Sequence, residues 1–103
     1  MKIYYAKTLG PVDVIEGKSK RPLLQRRDLR RLSEGFAWGC KWAACDQLSL
    51  AILCDVFDDE KALRLYQRFK ERAILPKHRD EPFEMTLDEI LAVVEAIEKE
   101  NTP

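Results

Sequence analysis

Three cysteines (Cys40, Cys45 and Cys54), one histidine (His78) and the acidic run Asp55, Asp58, Asp59 and Glu60 are the residues of this 103-residue chain whose types invite a chemical reading. A structural zinc site takes four tetrahedral Cys or His ligands, commonly entered through closely spaced pairs, and the chain has no CxxC pair. The cysteines therefore read as reduced and structural: Cys54 falls in an apolar run, and Cys40 and Cys45 flank a tryptophan. His78 stands in the charged stretch Lys77-His78-Arg79-Asp80, and general acid–base work needs a positioned partner that the adjacent Asp80 is too close in sequence to supply. The acidic run lacks the alternation of a calcium loop and suits a helix junction, where an aspartate caps backbone N–H groups. These residues point to a non-enzymatic protein with no metal and no cofactor.

What remains is the chemistry of binding. Net charge is zero, but residues 1–44 carry ten Lys or Arg against four acids, a net of +6, and residues 45–103 carry eight against fourteen, a net of −6. The densest basic part runs from Lys18 to Arg31 and includes Arg26, Arg27, Arg30 and Arg31. Phe36, Trp38 and Trp42 follow it, so one reading is a nucleic-acid surface with arginines on phosphates and an aromatic ring on a base. The favoured reading has Phe36 and Trp38 packed onto a central helix and the arginines as a solvated face, with Trp42 the ring expected at the surface. A second basic stripe, Lys61, Arg64, Arg68 and Arg72, extends the nucleic-acid surface only if it packs on the same side of the domain.

The elements that must position these residues form an α+β domain spanning 1–103: a small N-terminal antiparallel β-hairpin or sheet packed on three α-helices. Alternation around Tyr4 and around Asp13, with Gly10-Pro11 between, predicts strands near 2–8 and 11–16. Short segments near 20–24 and 82–85 are candidates for further strands, the second as an added edge. Residues 43–57 are apolar on nearly every side and predict the central helix. A helix over 59–74 buries Ala62, Leu65, Tyr66, Phe69 and Ala73 and ends at Pro76. The capping box Thr86-Leu87-Asp88-Glu89 opens a last helix over 86–100, whose apolar residues are Leu87, Ile90, Leu91, Val94 and Ile97. Asn101-Thr102-Pro103 is expected to fray.

Gly35-Phe36-Ala37-Trp38-Gly39, then Asp46-Gln47-Leu48-Ser49-Leu50-Ala51-Ile52-Leu53, then Ala62 to Lys70 resemble an uncharacterised family of small bacterial and mobile-element proteins. Its members tend to read G-F-x-W-G, A-Q-L-A-L-A-I-L and A-L-R-L-Y-Q-x-F-K, and the resemblance covers roughly residues 22–91. The chain departs from the pattern at 40–45, where family members usually carry a glycine- and serine-rich turn. The resemblance implies fold and boundaries and transfers no catalytic residue. Small size, the absence of a catalytic motif, a polar helical surface and the resemblance to a mobile-element family together lead to the first reading, an accessory factor that binds another protein, such as an inhibitor of a host defence complex of the anti-CRISPR kind; Trp42 and the acids Glu95, Glu98 and Glu100 are its candidate contacts, because interfaces favour aromatic anchors. The alternative is a nucleic-acid-binding module. No apolar run of bilayer length and no signal-peptide pattern is present, so a cytoplasmic protein without membrane contact is expected.

Overall fold

In the computed structural model, which describes residues 1–100, β1 (Lys2–Ala6) lies at the centre of its neighbours in a four-stranded antiparallel sheet. The strand order is β3-β2-β1-β4, with β2 at Asp13–Glu16, β3 at Ser19–Pro22 and β4 at Phe83–Thr86. Register places Tyr4 between Val14 and Met85. These three residues, with Ala6 and Phe83, send the buried face of the sheet into the core, as the period of two in a strand requires. Gly17 and Lys18 connect β2 to β3, and Gly17 holds φ +61°, the glycine-first arrangement of a two-residue hairpin turn. The exposed β3 edge carries Lys20, Arg21 and Pro22, residue types that discourage another strand from pairing there. β1 and β2 are shorter than their alternation suggests. Residues 7–12 form a loop instead, because Gly10 takes φ +129° and Pro11 has no N–H for a ladder.

The central helix α1 (Ala43–Val56) is buried without interruption from Gln47 to Leu53, as its apolar circumference demands. α2 (Asp59–Phe69) follows after a short break, and the Asp58 carboxylate accepts the Lys61 backbone N–H at 2.8 Å to cap it. The expected single helix over 59–74 is α-helical only to Phe69. Residues Lys70–Ile74 continue it as a π-helical turn, in which the Leu75 N–H donates to the Lys70 carbonyl. That wider turn buries both Ala73 and Ile74. α3 (Leu87–Glu100) starts directly from β4: Thr86 pairs with Ile3 in the sheet and its hydroxyl accepts the Glu89 N–H at 3.1 Å. Its buried residues are Ile90, Val94 and Ile97, whereas Leu91 is exposed, because it lies about 100° round the helix from Ile90. The expectation for Asn101–Pro103 lies outside the described residues.

The architecture is α+β, with strands and helices sharing one hydrophobic cluster. No helix among the described residues is long and apolar enough to cross a membrane.

Candidate functional site

Residues 23–42 run as an irregular segment from β3 to α1, and the buried Gln47 side chain of α1 holds its first half in place. The Gln47 Oε1 accepts the N–H groups of Leu32 and Ser33, at 2.8 and 3.0 Å, and its Nε2 donates to the carbonyls of Gln25 and Arg30. A buried amide with every partner supplied fixes backbone that has no ladder of its own. The G-F-x-W-G stretch does the same work at the segment's end. Phe36 and Trp38 are buried, and the Trp38 indole N–H donates to the carbonyls of His78 and Glu81, each at 3.0 Å. Gly39 sits at φ +68° against the backbone of Lys77 and Arg79, where there is no room for a Cβ. His78 is therefore used through its carbonyl, and its ring is at the surface.

Trp42 projects from this anchored base. It is 64% exposed, takes the N-cap position of α1, and carries the Arg79 guanidinium 5.0 Å above its ring. Cys40 and Cys45 are joined in a disulfide that closes the turn around it, so the expectation of three reduced cysteines is corrected to one free thiol, Cys54. The physical reason is the turn into the helix, which brings the two Cα atoms within 6.3 Å and inside bridging range. Cys54 is half-buried, and that burial pushes its thiol up to about 11, so it is a poor nucleophile near neutral pH.

The two basic clusters lie on different flanks of α2. On one flank the Arg26 guanidinium, at φ +56°, bonds Asp59 and Asp28, which raises its already high pKa and holds both carboxyls below their usual range. Arg30 lies over the Tyr66 ring, and Arg27 is 3.9 Å from Glu34. On the other flank Lys61 pairs with Glu98 at 3.1 Å and Arg72 with Glu100, both acids of α3. Arg68 is half-buried beside them. Arg31 and Arg64 are exposed and form no ion pair among the described residues.

The acidic run resolves into structural jobs. Asp58 caps α2 and Asp59 holds Arg26. Asp55 accepts the Tyr4 hydroxyl at 2.5 Å and pairs with Lys2 and Arg21, tying α1 to β1 and β3. Among the described residues no group of three or more His, Cys, Asp or Glu side chains converges as a metal site.

The candidate contacts do not share one surface. Glu95 and Glu98 line a groove with Phe57, which caps the C-terminal end of α1, whereas Trp42 caps its N-terminal end. A 14-residue helix separates those ends by about 21 Å. Two contributors escaped the reading of the sequence. Arg79 is brought to Trp42 only by the fold, and Gln47 signalled itself solely as an amide inside an apolar run.

A family model described as a family of unknown function (DUF6166) matches residues 5–96, a longer stretch than residues 22–91. No curated protein and no solved structure matches the chain.

Proposed function

The chain belongs to this family of unknown function, and from that premise we propose that it is a small non-enzymatic accessory factor that binds another protein, with Trp42 as the anchor. The observation that supports this reading is the presentation of Trp42. A large ring stands in solvent at the mouth of a disulfide-closed turn, on a base fixed by Trp38, Gly39 and the 77–81 loop. An aromatic side chain held rigid before binding loses little conformational entropy on contact, which is why tryptophans concentrate the energy of interfaces. The flanking Lys41 and Arg79 suit a partner surface with acidic groups around an apolar pocket. In its concrete form this is a protein of a bacterial phage or other mobile element that occupies a host complex, in the manner of an anti-CRISPR inhibitor. The origin and the inhibitor role rest on the motif resemblance. The test is quantitative capture from nuclease-treated bacterial lysate, wild type against Trp42→Ala, read for a stoichiometric partner.

The second reading is a nucleic-acid-binding module, and the observation in its favour is the exposure of Arg31 and Arg64. Against it, Lys61 and Arg72 are already matched by acids of α3, and Arg26 by Asp28 and Asp59. Titration with labelled duplex, single-stranded DNA and RNA at low and moderate salt separates the two readings, because binding built on phosphate contacts weakens steeply with salt. Arg31→Glu with Arg64→Glu is the informative variant, since it leaves the structural Arg26 pairs intact.

A further inference from the structure

α3 presents a second surface, at the opposite end of α1 from Trp42, and its floor is apolar. Leu91 is 42% exposed and is the one strongly exposed large apolar residue in the interior of a described helix. It borders a groove of about 340 Å³ whose other apolar lining is Val94 and Phe57, the C-cap of α1. The groove follows α3 for about two turns, from Leu91 to Lys99. Beside it Ala92 and Ala96 are exposed, and their short side chains leave room for a second helix to approach.

The rim of the groove is acidic. Glu95 and Glu98 line it, and Asp88 stands exposed on α3 about one turn before Leu91, with no ion pair among the described residues. α3 as a whole carries five acids against one cation, Lys99. The cations in reach are already engaged: Lys61 pairs with Glu98 and lies over the Phe57 ring, and Lys99 pairs with Glu95. Both side chains of the Lys99–Glu95 pair are more than two-thirds exposed, so the pair is weak and gives way to a better-placed cation. The last turn of α1 has no basic residue, and its C-terminal end at Phe57 adds partial negative charge.

We propose that this groove receives a basic amphipathic helix of a partner protein, with its apolar stripe on Phe57, Leu91 and Val94 and its lysines or arginines against Asp88, Glu95 and Glu98. The argument for that occupant is charge complementarity. An apolar floor alone accepts any hydrophobic segment, whereas the carboxylates around it select cationic flanks and repel acidic ones, another copy of α3 included. In helix-in-groove recognition, apolar anchors at helical spacing supply the affinity, and the charged flanks here set the choice of partner. Trp42 takes no part, so this surface is separate from the anchor proposed above.

Fluorescence anisotropy tests this with the full chain and a labelled synthetic helical peptide of about four turns, carrying leucines at i, i+3, i+4 and i+7 and lysines on both flanks. Wild type is expected to bind it in the micromolar range of a weak interface, and at least about threefold more weakly as salt rises from about 50 to 200 mM. Leu91→Gln weakens binding at least about fivefold, the effect of truncating a contributing contact. Asp88→Asn with Glu95→Gln also weakens it, whereas Lys99→Ala tightens it, because the competing cation is gone. Trp42→Ala binds as wild type does, so this proposal and the Trp42 anchor stand or fall separately. All substitutions are at exposed positions, and circular dichroism reports that each fold is kept. A wild type that shows no binding by about 500 µM overturns the proposal. So does a peptide with glutamates in place of the lysines that binds equally well, a Leu91→Gln variant as good as wild type, or self-association of the chain, read by sedimentation, that shuts the peptide out.

Discussion

The Tyr4 hydroxyl on β1 donates to the Asp55 carboxylate on α1 at 2.5 Å, and this one contact joins the middle of the sheet to the end of the central helix. Burial pushes the Asp55 carboxyl up, but hydrogen bonds from Tyr4, Lys2 and Arg21 outweigh it and hold the group below the usual carboxylate value. Burial, then the bond to Asp55, pushes the Tyr4 hydroxyl far above the usual tyrosine value. The signs follow. A lowered carboxyl stabilises the fold fully above its unfolded value of about 4 and loses that stability as pH falls through the folded value. A raised phenol stabilises fully below about 10 and loses that stability as pH rises beyond it.

Urea unfolding across pH checks both arms. Asp55→Asn should flatten the acid arm and cost about 2 kcal/mol at neutral pH, with only a small share from Arg21, which is half exposed. Tyr4→Phe should flatten the alkaline arm. Unchanged slopes in these variants would contradict the assignment.

Gln47→Leu is expected to cost about 3 kcal/mol, because it leaves two buried N–H groups and two carbonyls without partners. Hydrogen exchange checks the mechanism: the Leu32 and Ser33 amides should lose protection before the α1 amides do. Equal loss everywhere would mean that Gln47 supports global stability and does not act as a local clasp.

Gly39→Ala is expected to destabilise by more than about 2 kcal/mol, combining a positive φ with a collision against the Lys77 carbonyl and the Arg79 nitrogen. Gly17→Ala, also at positive φ but facing open space, should cost only about 1 kcal/mol. Thermal melts of the two variants side by side separate collision from backbone strain, and equal losses would refute the close approach at Gly39.

Titration of thiols in denaturant should find one per chain before reduction and three after it, given three cysteines and the Cys40–Cys45 bond. Reduction removes a short cross-link, so the reduced protein should be about 2 kcal/mol less stable in chain-entropy terms. Three thiols before reduction would contradict the pairing.

Much of this fold is legible in the sequence where the signal is local. The apolar circumference of Leu48–Leu53 places α1 at the centre, and Thr86 with Glu89 marks the start of α3. Trp38 is buried and Trp42 exposed, which agrees with the favoured reading of the aromatic loop, although no local signal in the sequence decides it. What escapes is whatever depends on two elements meeting. The stripe at Lys61 and Arg72 reads as a free basic surface until α3 brings Glu98 and Glu100 alongside it. Cys40 and Cys45 read as unrelated thiols until the turn at Trp42 folds them together, and Arg79 has no visible link to Trp42 until Gly39 admits its loop. Leu91 shows the limit of periodicity itself, since helical spacing includes it in the apolar set while the core takes only Ile90, Val94 and Ile97.

The central claim is that Trp42 is a binding anchor, and it is tested most directly by comparing wild type, Trp42→Ala and Leu24→Ala in capture from nuclease-treated bacterial lysate. Leu24 serves as the control because it is equally exposed but stands at the other end of the 23–42 segment, next to β3. The account predicts a saturable protein partner held by wild type and Leu24→Ala and lost, by at least about tenfold in affinity, with Trp42→Ala, the scale of an interface hot spot. A partner retained undiminished by Trp42→Ala would contradict it.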